Sequence, residues 1–284
     1  MKTLFIFFLL LTPMFLINVQ AQEPSCCNEN AITKFSGFSN DKNFVALHVE
    51  PGNFVLQGGS GNMIIYNTPD GKTANGYEVK AETPTNKYLF LFHEWYGLND
   101  YIKNECEYWS KELGVNTIGI DLYDGKVATT NEEATQYIQQ MDVTRGENII
   151  AGARNYADAN TDNTAILATL GWCFGGGWSC QASILLEDKS KACVMYYGMP
   201  EENKDRLAKL TAPVLGIFAS KDAKINAEVV KNFEDNMKSL GKSLITKTYE
   251  AEHGFANPSG QRYNSEATAD AKKLTSEFLM TNFK

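Results

Sequence analysis

Gly171-Trp172-Cys173-Phe174-Gly175-Gly176-Gly177 decides the reading of this chain. An apolar run, 165–170, leads into it and a small-residue stretch with helical spacing, 179–186, leads out, so the segment reads strand, tight turn, helix. A G-x-[S/C]-x-G turn forces its central residue onto a strained backbone at the strand tip, and the flanking glycines remove Cβ atoms that would clash. Cys173 is then presented as a nucleophile. Taken alone, the same run also reads as a glycine-rich turn around a buried thiol, because free cysteine is among the most buried residue types. A phosphate cradle is disfavoured, since the spacing is neither G-x-x-x-x-G-K-[S/T] nor G-x-G-x-x-G and no lysine follows.

Working outward, short apolar strands alternate with helical patterns. Strands are expected at 88–92, 117–120, 165–170, 192–197, 214–219 and 244–249, with helices at 102–113, 132–141, 146–158, after Cys173, at 227–240 and at 265–279. That order implies an α/β fold with a mostly parallel central sheet and helices on both faces. Residues 63–79 read as a hairpin turning at Asp70-Gly71. Residues 22–60, Gly-rich near Gly58-Gly59-Ser60-Gly61, read as an N-terminal extension that packs on the main domain or stays loose, with no chemistry assigned to it. Residues 61–284 form the domain.

Residues 1–21 have the form of a secretory leader. Lys2 supplies the positive start, 4–17 the apolar core, and Val19-Gln20-Ala21 the cleavage site, so the protein is expected to be exported to the periplasm or medium. The apolar stretch is short for a span and lacks a stop-transfer flank, so no stable membrane span is expected. Its removal takes one lysine from the 26 basic residues, leaving 25 against 34 acidic and a formal charge of −9. This acidic balance offers no electrostatic footprint for nucleic acid. Six cysteines are too few for a disulfide scaffold, although Cys26 or Cys27 has the option of pairing with Cys106. With three histidines and no C-x-x-C pair, neither zinc nor any other cofactor is expected. Cys180 and Cys193 read as core.

In a parallel sheet, chemistry collects at the carboxyl ends of strands. Glu94, Cys173, Asp222 and His253 each follow an expected strand. A cysteine needs a base to become a thiolate near neutral pH, and imidazole has the matching pKa. His253 is the candidate, with His93 ranked second and His48 set aside in the extension. Asp222 would accept the other ring N–H of His253 and fix its tautomer. The backbone amides of Phe174 and Trp95 stand where an oxyanion hole is needed. Tyr96, Tyr123, Trp178 and Tyr196 are candidate pocket walls.

With these residues in hand, the chain resembles the dienelactone hydrolase family, a cysteine-using branch of the α/β-hydrolases. The resemblance is carried by His93-Glu94-Trp95-Tyr96-Gly97-Leu98-Asn99, Leu113-Gly114-Val115, Ile120-Asp121-Leu122-Tyr123, the Cys173 turn, Tyr196-Tyr197-Gly198, Asp222, and His253-Gly254-Phe255 with Tyr263-Asn264. It implies Cys173 as nucleophile, His253 as base, Asp222 as its orienting acid, and Glu94 as a carboxylate that keeps the resting thiol protonated. It further implies cleavage of a small ester or lactone through an acyl-thioester. A thiol peptidase or a binding protein on the same scaffold are the alternatives. Family members acting on anionic dienelactones hold the substrate carboxylate with two arginines. Here the corresponding positions read Asn131 and Asn257, with Arg262 five residues further on, so a more neutral substrate is expected.

Overall fold

The computed structural model describes residues 30–48, 50–52 and 54–283. The leader 1–21, Cys26 and Cys27 lie outside the described residues. The strands are β1 (Asn62–Asn67), β2 (Thr73–Val79), β3 (Lys87–Phe92), β4 (Asn116–Ile120), β5 (Ile166–Trp172), β6 (Ser190–Tyr196), β7 (Val214–Ala219) and β8 (Leu244–Tyr249). The helices are α1 (Ala31–Gly37), α2 (Lys42–Ala46), α3 (Asp100–Leu113), α4 (Asn131–Gln139), α5 (Val143–Ala159), α6 (Phe174–Leu186), α7 (Lys204–Leu207), α8 (Ala227–Ser239) and α9 (Ser265–Asn282).

All eight strands form one sheet in the order β1-β2-β4-β3-β5-β6-β7-β8. β1 pairs antiparallel with β2 and β2 antiparallel with β4, while the remaining pairs are parallel. The expected α/β architecture is therefore present. The hairpin β1–β2 turns where Asp70-Gly71 lies, with Gly71 at φ 78°. The side chain of Thr68 donates to Asp70 there. β3, β4, β5 and β7 are buried from both sides along nearly their whole length, which follows from α3 and α9 packing together over one face and α5 and α6 over the other. No described helix is long and apolar enough to cross a membrane.

Among the described residues from 30 to 48, the extension does not stay loose. Asn30 caps α1 by accepting from the Ile32 N–H, and Asp41 caps α2 by accepting from the N–H groups of Asn43 and Phe44. These short helices bury Ile32, Phe35 and Phe44 against the domain. Phe35 meets Phe174, the first residue of α6, with ring centroids 5.8 Å apart. The segment thereby lies across the carboxyl end of β5, over the site.

Candidate active site

β5 runs two residues further than the sequence suggests, to Trp172, so Cys173 follows the strand directly. Cys173 has φ 55° and ψ −120°, a backbone conformation side chains rarely adopt. The turn survives because its neighbours lack side chains. A Cβ on Gly171 would sit 2.0 Å from the Gly175 carbonyl oxygen, and one on Gly175 would sit 2.1 Å from that of Phe92. β5, α6 and the end of β3 are thus locked backbone to backbone, and the sulfur is held over the sheet edge.

Asp222 follows β7. Its Oδ1 accepts from the backbone N–H groups of Lys224 and Ile225, both at 2.9 Å, which leaves Oδ2 to face His253. His253 Nδ1 lies 2.6 Å from that oxygen, and its Nε2 lies 3.2 Å from Cys173 Sγ. Burial alone would raise the Asp222 carboxyl, but His253 and the two amides outweigh it and hold it below the usual carboxylate range. The three side chains therefore form a continuous chain from carboxylate to imidazole to thiol, all buried.

Burial raises the Cys173 thiol well above its ordinary value, and the charge of Glu94 adds to the effect. Glu94 shares the cleft with the sulfur. Its Oε1 accepts from the Tyr197 hydroxyl at 3.2 Å and its Oε2 from Asn257 Nδ2 at 2.5 Å. Burial raises its carboxyl to about 7 against the pull of those hydrogen bonds. The N–H of Phe174 faces the sulfur, and Trp95 lines the same cleft.

The remaining residues singled out from the sequence divide. Tyr96 lines the cleft, and its hydroxyl lies within donating distance of Asn131 Oδ1 at 2.6 Å and the His48 carbonyl at 3.0 Å, sharing its one proton between them. Tyr123, Trp178 and Tyr196 do not line it. Each is core: the Tyr123 hydroxyl is spent on the Trp95 carbonyl, that of Tyr196 pairs with Thr275, and Trp178 packs edge-on to Phe174. An aromatic residue near a strand end fills the space under a helix as readily as it lines a cleft. Asn257 serves Glu94, and the Arg262 guanidinium donates to the Leu47 carbonyl while lining the cleft.

His93 and His48 exchange the ranks expected of them. His93 is fully buried below the site, where Nδ1 pairs with the Glu94 carbonyl and Nε2 accepts from the Leu122 N–H. Burial lowers its pKa to about 4, so it is a neutral core group. His48, set aside in the extension, brings Nε2 to 3.6 Å from Cys173 Sγ. Its ring stacks on Trp95 at 4.5 Å between centroids, and burial lowers its pKa to about 3. The local signal is slight: Asp41 caps a one-turn helix that carries Phe44, and His48 follows the end of that helix, four residues after Phe44.

The comparisons follow the same outline. A family model described as the dienelactone hydrolase family matches residues 75–283. Carboxymethylenebutenolidase 1 of Cupriavidus pinatubonensis is 25% identical over 213 residues, covering 72% of this chain and 89% of the relative. Protein usf of Aquifex pyrophilus is 26% identical over 218 residues, covering 72% and 94%. Among solved structures, a putative dienelactone hydrolase from Klebsiella pneumoniae superposes with a TM-score of 0.66 at 20% identity, covering 76% of this chain and 98% of that one, a likeness of fold. The sheet order, the Cys173 turn and a family match spanning the domain agree that the chain belongs to the dienelactone hydrolase family.

Proposed function

We propose that the protein is an exported hydrolase that cleaves a small carboxylic ester or lactone, with Cys173, His253 and Asp222 as its triad. The carrying observation is the unbroken line from Asp222 Oδ2 through His253 to Cys173 Sγ, at 2.6 and 3.2 Å. Family membership, with relatives that include a carboxymethylenebutenolidase, supports the ester or lactone class.

The chemistry follows from the protonation states. Asp222 is ionised, so His253 keeps its proton on Nδ1 and turns the lone pair of Nε2 toward the thiol. As Sγ attacks the substrate carbonyl, Nε2 takes the thiol proton and the imidazolium is stabilised by Asp222. The carbonyl oxygen becomes an oxyanion, for which the N–H groups of Phe174 and Trp95 are the proposed donors. Collapse expels the alkoxide, which takes the proton from His253 and leaves an acyl-thioester. Water then attacks with His253 as base, releasing the acid and returning the thiol. Glu94 disfavours a standing thiolate at rest through like charge, so the nucleophile forms only as it reacts.

The cleft is roofed by Leu47 and His48, which favours small acyl and alcohol groups. Export rests on the leader 1–21, and the mass of the protein recovered from envelope and medium fractions tests it. For the reaction, purified mature protein is offered short-chain aryl esters and a lactone panel, and quenched samples are weighed. An acyl adduct mapped to Cys173 with turnover is the expected result. Turnover with the label elsewhere, or folded and reduced protein that neither labels nor turns over, overturns the reading.

A further inference from the structure

Two imidazoles converge on one thiol, and the hydrolytic reaction needs one of them. Nδ1 of His48 lies 2.9 Å from the Phe44 carbonyl, which can only accept, so the proton of this neutral ring sits on Nδ1. Nδ1 of His253 is likewise committed to Asp222. Both Nε2 atoms therefore aim bare lone pairs at Cys173 Sγ, from 3.6 and 3.2 Å. The thiol has a single proton and can satisfy only one of them.

A cation satisfies both. With metal–sulfur bonds near 2.3 Å and metal–nitrogen bonds near 2.0–2.1 Å, the sulfur–nitrogen edge of a tetrahedral zinc site is about 3.5 Å. The two observed sulfur–nitrogen separations bracket that value; the three ligand atoms lie within 4.8 Å of one another, against a nitrogen–nitrogen edge of about 3.3–3.4 Å in the same site, so the two rings would draw together as the metal binds. The supporting shell is also in place, because a carboxylate behind one ring and a backbone carbonyl behind the other fix both tautomers for metal ligation. Two imidazoles and a thiolate select a borderline-soft ion over magnesium or calcium. The fourth position would open to the cleft.

We propose that His48, Cys173 and His253 form a three-ligand site for a zinc-class divalent cation. Binding exchanges the thiol proton for the metal: Cys173–SH and M²⁺ give a Cys173 thiolate–metal bond and one released H⁺. Metal and triad chemistry compete for the same sulfur, so the loaded protein is closed to substrate. Because His48 lies outside the matched residues 75–283, this site is a property of this chain's N-terminal segment. It stands on the geometry and does not rest on the hydrolase reading.

The test uses untagged mature protein stripped with a chelator and titrated with Co²⁺, then Zn²⁺, without any turnover assay. One Co²⁺ per chain, with a thiolate-to-cobalt charge-transfer band that zinc abolishes, is expected. Cys173→Ser should lose the band, and His48→Gln should weaken binding by at least about 100-fold, the upper end of what even an outer-shell change costs. X-ray absorption at the zinc edge of the wild-type protein, which needs no variant, should count one sulfur and two imidazoles. No thiolate band, fewer than two imidazoles, or a folded His48→Gln protein that binds as tightly as wild type overturns the inference.

Discussion

The floor of the cleft is built by residues 75–283 through a sheet and a turn whose backbones touch. Its roof is built by residues 31–48, held by side-chain packing, ion pairs and hydrogen bonds to the Leu47 and His48 carbonyls. In the floor, Gly171 and Gly175 leave no space for a methyl group, and Asp222 is fixed by two amides. The roof is held by Ile32, Phe35 and Phe44, by an ion pair from Lys224 to Asp41 at 2.6 Å, by one from Lys34 to Glu202 at 2.8 Å, and by the hydrogen bonds of Tyr96 and Arg262. Ion pairs as exposed as Lys34–Glu202 contribute about 0–1 kcal/mol. Each buried phenylalanine contributes roughly 1.5–3 kcal/mol. One cleft thus joins a half fixed by backbone contact to a half held by packing and a few polar contacts, so local opening of the second half is expected to cost less than global unfolding.

That contrast can be broken at the floor with the largest effects. Cys173→Ala is expected to lower kcat/KM for a short-chain ester on the order of 10⁶-fold, as loss of a triad nucleophile does, with the melting temperature little changed. Asp222→Asn should cost about 10⁴-fold, because the amide presents an N–H to Nδ1 and favours the wrong tautomer. Steady-state kinetics and a thermal melt on each variant check both.

At the roof the effects should be smaller and local. Phe44 meets His48, Trp95 and His253 with ring centroids 4.6, 5.7 and 5.7 Å apart. Phe44→Ala should raise the open population about 10–100-fold, the equivalent of roughly 1.5–3 kcal/mol of lost burial. Amide exchange over 31–48 and alkylation of Cys173 should both accelerate, while exchange in β5 and β6 stays slow. Acceleration throughout the sheet would mean that roof and floor unfold as one.

Protonation sharpens the comparison further. His48 has a folded pKa of about 3 against an ordinary 6.5, so its docking stability is complete above pH 6.5 and is lost as pH falls toward 3. Its surroundings include His253 and Arg262, which oppose its charge, and Asp222, which favours it. Protection over 42–48, meaning amide exchange corrected for its intrinsic rate at each pH, should therefore fall between pH 6.5 and 4. Glu94 acts with the opposite sign. Its folded pKa of about 7 exceeds the ordinary 4.5, so the folded state binds more protons between those values and global stability falls as pH rises through them. Glu94→Gln should flatten that slope in denaturant melts, the smallest of the expected changes.

The floor was legible because its information is local. Cys173 sits inside a seven-residue motif, Glu94 and Asp222 follow strands marked by short apolar runs, and His253 follows a mixed strand with a Glu252-His253-Gly254-Phe255 loop. His48 was not legible, because its role depends on a contact 125 residues away in sequence and the helix before it is one turn long. The pocket aromatics divided for another reason. Tyr96 and Tyr123 have the same chemistry at neighbouring strand ends, and which of them sees the cleft depends on the roof above Tyr96 and on the Trp95 carbonyl that engages Tyr123.

The roof's anchors also order events in time. Residues 31–48 are synthesised early, yet their partners include Glu202, Lys224 and Arg262, up to 215 residues later in the chain. Contacts of such separation form only after the intervening chain has been arranged. This early segment is thus among the last to settle, and a nascent molecule passes through a stage in which Cys173 has its floor and no cover. That interval, rather than the finished fold, is when the sulfur is most open to oxidative damage.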